Sequence, residues 1–204
     1  MRSNQIKIMK KTIFLCALLT MIFSANVLAQ QPKTVTDYFL AFPTDKYATD
    51  IEGKKITGKA NLAKFRKSLI KVEDVKNGYL KLEGPWEGWA EIALFKKKDG
   101  SYLIAHAESG CGPVCDGFVK FYTYKAGKWA DVTSNVFPNL TEAQIKKAFT
   151  DKKIDTTDSG LNSYFLLPQT GTTIKLACNE CSDAANDFVL MEFAWNGEKF
   201  TTKK

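Results

Sequence analysis

From Gly78 onward the sequence alternates with a period of two, and that rhythm constrains the fold more than any other feature. Tyr79-Leu80-Lys81-Leu82 reads as a short strand. Trp89–Phe95 and Tyr102–Ala107 flank "KKKDGS", where Asp99-Gly100 supplies the positive φ of a tight hairpin. Phe118–Tyr124 and Trp129–Val132 repeat the pattern around "KAGK". Strands return at Tyr164–Leu167, Thr173–Ala177 and Phe188–Trp195, and a last turn falls at Asn196-Gly197. Connections this short reverse the chain, whereas parallel neighbours need a crossover of about a dozen residues or more. The expected class is therefore α+β, with antiparallel β-meanders and helices packed on them.

Two helices precede the strands and a third interrupts them. Val35-Thr36-Asp37 leads into Tyr38, Phe39 and Phe42, and Pro43 stops the first. Residues 44–60 are polar and turn-like, with Gly53 and Gly58. Leu62, Phe65, Leu69 and Val72 then lie three or four apart, while Lys64, Arg66, Lys67 and Lys71 face elsewhere, which predicts an amphipathic helix. The third, over 141–150, has the plainest start. Thr141-x-x-Gln144 is a capping box, Leu140 and Ile145 are spaced as a hydrophobic staple, and Ile145, Ala148 and Phe149 form a stripe.

The two β-rich stretches align without a gap between residues 90 and 129 at an offset of 71. Gly100 falls on Gly171, Asp116 on Asp187, Tyr124 on Trp195 and Trp129 on Phe200, although only three of the 40 pairs are identical. Two readings follow. Either any two meanders share such punctuation, or residues 60–132 and 140–204 are tandem helix-plus-sheet units sharing one core.

The cysteines fall in equivalent loops of that alignment. Cys111 and Cys115 sit in "ESGCGPVCDGF", and Cys178 and Cys181 in "CNEC". A duplicated arrangement of this kind resembles the secreted β-lactamase-inhibitor proteins, built from helix-plus-four-strand repeats with cysteine-stapled loops. The resemblance covers topology and loop placement over roughly 60–200, and it implies a fold without implying a function.

The first 29 residues read as an export signal. Arg2, Lys7, Lys10 and Lys11 precede the apolar run "TIFLCALLTMIF", and "VLA" at 27–29 offers a small residue before cleavage near Ala29. Met9, followed by two lysines, is an alternative start. A retained anchor is the rival reading, but the run is short beside the roughly 20 residues of a membrane span. The expected mature chain, 30–204, is one domain, periplasmic or extracellular, with no membrane span after cleavage. Its formal charge falls from +7 to +3, with 25 basic against 22 acidic residues. A nucleic-acid partner thereby loses its electrostatic footing. The Lys96–Lys98 run next to Asp99-Gly100 reads as a solubilised hairpin tip.

Removing Cys16 with the signal leaves four cysteines, an even number that favours disulfides in an exported chain. Local bridges Cys111–Cys115 and Cys178–Cys181 are expected, with crossed connectivities as the alternative. Each would stiffen a loop tip and contribute about 2 kcal/mol. The paired hooks superficially resemble a zinc ribbon, but the compartment opposes stable zinc thiolates and no histidine assists, so neither metal nor cofactor is expected. Glu108, Asp116 and Glu180 disfavour a reactive thiolate, which weakens thiol exchange.

His106, the only histidine, shares a strand face with Tyr102 and Ile104 and reads as a partly buried strand residue rather than the partner of a cysteine nucleophile. No hydrolase, phosphate-loop or calcium-loop motif is present. Asn139-Leu140-Thr141 matches a glycosylation acceptor, but Thr141 is needed as a helix cap. Trp129 and Trp195 read as core or rim residues. "GPWEGW" is the best binding candidate, with Trp86 in a loop and Trp89 opening a strand; tryptophans there either anchor a partner or cap the core. The expectation is a non-enzymatic exported module that binds a protein or envelope component. The alternative is a small periplasmic thiol-redox or other enzyme using the cysteine pairs. A third class, a structural envelope subunit, would co-purify with its neighbours.

Overall fold

The computed structural model describes residues 32–43, 50–51, 54–112, 114–154, 161–178, 181 and 187–203. The expected export signal, 1–29, lies outside them. Helix α1 (Val35–Ala41) is followed by a two-stranded pair, β1 (Asp50–Ile51) and β2 (Lys54–Lys55), and by helix α2 (Lys59–Ser68). Strands β3 (Ile70–Asp74), β4 (Tyr79–Leu82), β5 (Gly88–Lys96), β6 (Tyr102–Cys111), β7 (Cys115–Lys125) and β8 (Lys128–Asp131) form a six-stranded antiparallel meander in sequential order. Helices α3 (Thr133–Val136) and α4 (Glu142–Asp151) come next. The second sheet comprises β9 (Tyr164–Leu166), β10 (Thr173–Cys178), β11 (Phe188–Trp195) and β12 (Phe200–Thr202), also in sequential order. This is the α+β class with antiparallel meanders.

Both faces of the six-stranded sheet are covered, which is why β5 and β6 read as nearly continuous apolar runs. Ala90, Ile92 and Ile104 turn toward α1 and pack with Val35, Tyr38, Phe39 and Phe42. Ala93, Phe95, Leu103 and Ala105 turn the other way and meet Ile174, Leu176, Phe193 and Phe200 of the second sheet. Each fully buried Val, Leu, Ile or Phe among them contributes roughly 1.5–3 kcal/mol. Helix α4 closes the same inter-sheet core with Ala148 and Phe149. Its start carries the capping box: Thr141 Oγ1 accepts from the Gln144 N–H, and the Gln144 side-chain Oε1 accepts from the Thr141 N–H. Helix α1 has an equivalent box between Thr34 and Asp37.

The structure corrects the second helix. It ends at Ser68, and residues 70–74 form β3 rather than a further helical turn. Val72 fits a helical spacing from Leu69, yet the two side chains enter different cores, Leu69 under α1 and Val72 between the sheets. Ile70 pairs with Leu82 and Val72 with Lys81 of β4, a bulge at Lys71 that leaves Ile70 beneath α1 and turns Val72 between the sheets. Arg66, expected to face outward with the lysines, is buried to 1% exposure. Its guanidinium donates to the carbonyls of Phe39, Leu40, Phe42 and Pro43, the acceptors left open where α1 ends. The sequence pattern does not predict the β1–β2 pair within the turn-like stretch 44–60, helix α3 or strand β12.

Shifted by 71, β6, β7 and β8 fall on β10, β11 and β12, and β9 falls within β5. The helices do not follow: α4 shifted back by 71 lands on β3 and β4.

Candidate functional site

Antiparallel order brings several loops to one end of the two sheets. The β4–β5 loop and the β6–β7 hairpin lie where β5 begins and β6 ends, and β10 ends on the same side. Cys111 and Cys115 are register partners across the β6–β7 hairpin and are disulfide-bonded. Cys178, the last residue of β10, is bonded to Cys181. The Cys111 N–H donates to the Glu87 carbonyl at 3.4 Å, and the Gly117 N–H donates to the Ser163 carbonyl at 3.0 Å, joining this end of the first sheet to the start of β9. Gly88 (φ +109°) lies so close to the Ser109 carbonyl that a Cβ there would collide with it.

Cys115, Tyr164 and Ala177 form a small buried cluster at this end, with Trp89, Cys111 and Leu166 packed against it. The Trp89 ring is half-buried and meets Tyr164 edge to face, 5.2 Å between centroids. Lys81 Nζ sits 5.3 Å above the indole, a cation–π arrangement. The Tyr164 hydroxyl donates to the carboxylate of exposed Asp187, and burial together with that carboxylate raises the phenol pKa. An aromatic surface, a cation and a carboxylate thus meet at the mouth between the sheets. Nearby, a cleft of about 740 Å³ runs beside β7, lined by Phe118, Val119, Phe137, Pro138 and Phe165 among others.

Trp86 is placed differently. Its ring folds back over Gly84, occupying the space a Cβ would need, and packs against the core beneath α1. Its buried Nε1–H has no hydrogen-bond partner among the described residues. Trp86 and Trp89 therefore belong to separate clusters on opposite faces of the sheet. The structure does not bring them together.

Sequence reasoning missed Glu91. It lies on β5, 5% exposed, and faces the second sheet. Tyr79 donates its hydroxyl to Oε1 at 2.6 Å, and the Leu167 N–H donates to Oε2 at 2.7 Å. Burial pushes the carboxyl pKa up, against the pull of these two bonds and of Lys81, and Asp187 pushes it further up. The same burial and the Glu91 charge raise the Tyr79 phenol pKa. Both carboxylate oxygens are engaged, so Glu91 ties one sheet to the other rather than standing open as an acid or base. A signal was available: Glu91 is the only charge in "WAEIALF", at an inward position of an apolar strand.

The remaining candidates are structural. His106 is 2% exposed between the rings of Phe42 and Phe118, at 5.6 and 6.2 Å. Cys111 is oxidised, so a Cys–His pair has no thiol to use. The Trp129 and Trp195 indoles donate to the carbonyls of Ala41 and Lys96, each at 2.9 Å. Lys97 pairs with Asp99 and Lys98 with Glu198. No group of three His, Cys, Asp or Glu side chains is disposed to hold a metal among the described residues.

The fold and its loops define a class: a two-sheet α+β protein with a disulfide in a connection of each sheet. Such bridges fit an oxidising compartment. No helix among the described residues is long and apolar enough to cross a membrane. No protein-family model matches the chain, and no curated protein matches its sequence. Among solved structures it is similar to a domain of an uncharacterized protein from Porphyromonas gingivalis W83, at 13% identity and a TM-score of 0.50. That likeness covers 83% of this chain and 97% of the other, and it is a likeness of fold alone.

Proposed function

We propose that this is an exported, non-enzymatic binding module that recognises a protein or envelope component with the loops at the disulfide-bonded end of its sheets. One observation carries the reading: the β4–β5 loop, the Cys111–Cys115 hairpin and the Trp89–Tyr164 pair are joined into one rim by hydrogen bonds and ring contacts. Trp89 supplies contact area, with Lys81 and Asp187 as polar partners beside it. Trp86 holds the β4–β5 loop in shape beneath them. The bridges stiffen the loops before a partner arrives, which lowers the entropic cost of association.

Residues 1–29 serve in this reading as the export signal, cleaved near Ala29, and 30–204 as a single mature domain. The coincidence of strands at the 71-residue offset supports descent of the two meanders from one duplicated unit.

Affinity capture from envelope extracts, with the native protein beside Trp89→Ala and Trp86→Ala, tests the module. Loss of a captured component with folded Trp89→Ala supports it, and identical capture by both folded variants sinks it. A non-reducing peptide map of the exported protein separates the alternatives, because free or readily reduced cysteines would favour a thiol-redox enzyme.

A further inference from the structure

Charge along the mature chain is far more polarised than its net value suggests. Between Lys54 and Lys71 there are seven basic residues and no acidic one. The rest of 30–204 then carries 18 basic against 22 acidic side chains, a net of −4. This basic segment includes all of α2.

Helix geometry places that charge on one side. Phe65 packs against the core beneath α1, with Leu69 buried just past the helix end. Arg66 is spent inside on the carbonyls that end α1. At 3.6 residues per turn, Lys59, Lys64 and Lys67 fall within an arc of about 140° on the opposite side. All three are exposed, and no carboxylate among the described residues pairs with them. Lys71, exposed just past the helix, is opposed by Glu83 at 3.9 Å.

We propose that this face of α2 docks the protein peripherally on an anionic lipid surface. Charge complementarity is the argument, and the residue type selects the partner. The one arginine of the segment is buried, so the exposed face offers only ammonium groups. These are mobile point charges without the planar fork that grips a single phosphate in two places. Such a face suits the diffuse field of an anionic leaflet, which attracts each nearby lysine additively and is screened by salt. The apolar side of α2 is occupied by the core, so the contact is electrostatic and reversible, without insertion. It leaves the second sheet on the far side of the six-stranded sheet. The proposal rests on the export reading only for the membrane it would meet.

The test is co-sedimentation of the exported, processed protein with vesicles of phosphatidylcholine alone or phosphatidylcholine with phosphatidylglycerol, at low and high salt. Binding to the phosphatidylglycerol vesicles at low salt, lost at high salt, is expected. Each lysine removed should weaken partitioning about fivefold, and Lys59→Gln/Lys64→Gln/Lys67→Gln together about a hundredfold. Lys125→Gln/Lys128→Gln/Lys199→Gln, which removes equal charge elsewhere on the surface, should bind nearly as the native protein does. Equal losses in the two triple variants, equal binding to both vesicle types, or retention by the α2 variant would overturn the proposal. Binding to soluble dextran sulfate without binding to vesicles would overturn it in favour of a polyanionic partner. Cell fractionation judges export separately: an exported protein that ignores vesicles refutes only the docking, and a retained one that binds them refutes only the export.

Discussion

The two ends of the paired sheets are held together by opposite means. At the turn end the tips of the β5–β6 and β11–β12 hairpins touch through surface contacts, outside the buried rings of Phe95 and Phe200. The Lys98 N–H donates to the Gly197 carbonyl, Trp195 donates to the Lys96 carbonyl, and Lys98 pairs with Glu198 at 2.9 Å. At the disulfide end the ties are buried. Glu91 bridges from β5 to the Leu167 N–H, Tyr164 packs on Trp89, and each sheet carries its own covalent bridge. Exposed bonds can be exchanged for water at little cost, whereas a buried group that loses its partner bears the full desolvation penalty. Those tip contacts are therefore tolerant of substitution. The disulfide end concentrates its stability in a few groups, and those groups support the rim assigned to binding.

The largest effect should come from Glu91→Ala, which strands the Tyr79 hydroxyl and the Leu167 N–H between the sheets. A loss of about 3 kcal/mol in denaturant unfolding is expected, and a loss no larger than that of a surface substitution would refute the inter-sheet tie. Glu91→Gln keeps the shape and should fold. Because burial raises the Glu91 pKa above its unfolded value, its contribution is fullest at pH below the unfolded carboxyl range and is lost as pH rises through the folded value. Measured against Glu91→Gln, the native protein should thus gain relative stability as pH falls. The opposite slope would show the carboxylate to be favoured as an anion.

Next in size is Cys111→Ser/Cys115→Ser, expected to cost about 2 kcal/mol by releasing a constraint on the unfolded chain. Amide exchange should quicken in the β6–β7 hairpin while the turn end stays unchanged. At the turn end, Trp195→Phe removes one indole bond and should cost about 1 kcal/mol. Smallest of all, Glu198→Gln should leave the thermal midpoint unmoved at moderate salt. If it rivalled Glu91→Ala, the contrast between the two ends would fail.

Much of the molecule was legible along the chain because the signals are local. Strand alternation spans two residues, a capping box four, a hairpin turn two, and the cysteine pairs close loops with sequence separations of 4 and 3. These features set the meanders, the starts of α1 and α4 and the local pairing of sulfurs. They could not show that α2 stops at Ser68, since Val72 continues the helical spacing from Leu69 and only pairing with β4 takes it into a strand.

The tertiary structure decided whatever depends on a distant partner. Arg66 looks like one more outward cation until the carbonyls at the end of α1, 23 to 27 residues away, draw it inside. Glu91 meets Leu167 across 76 residues. Trp86 and Trp89, three positions apart, part company because one ring turns to the core beneath α1 and the other to Tyr164. By itself the sequence determined the repeating strands and the sulfur-bearing loops, because backbone periodicity and short loop closure are carried by adjacent residues. Which side chains those loops present was decided by packing, because burial is a property of what arrives from elsewhere in the chain.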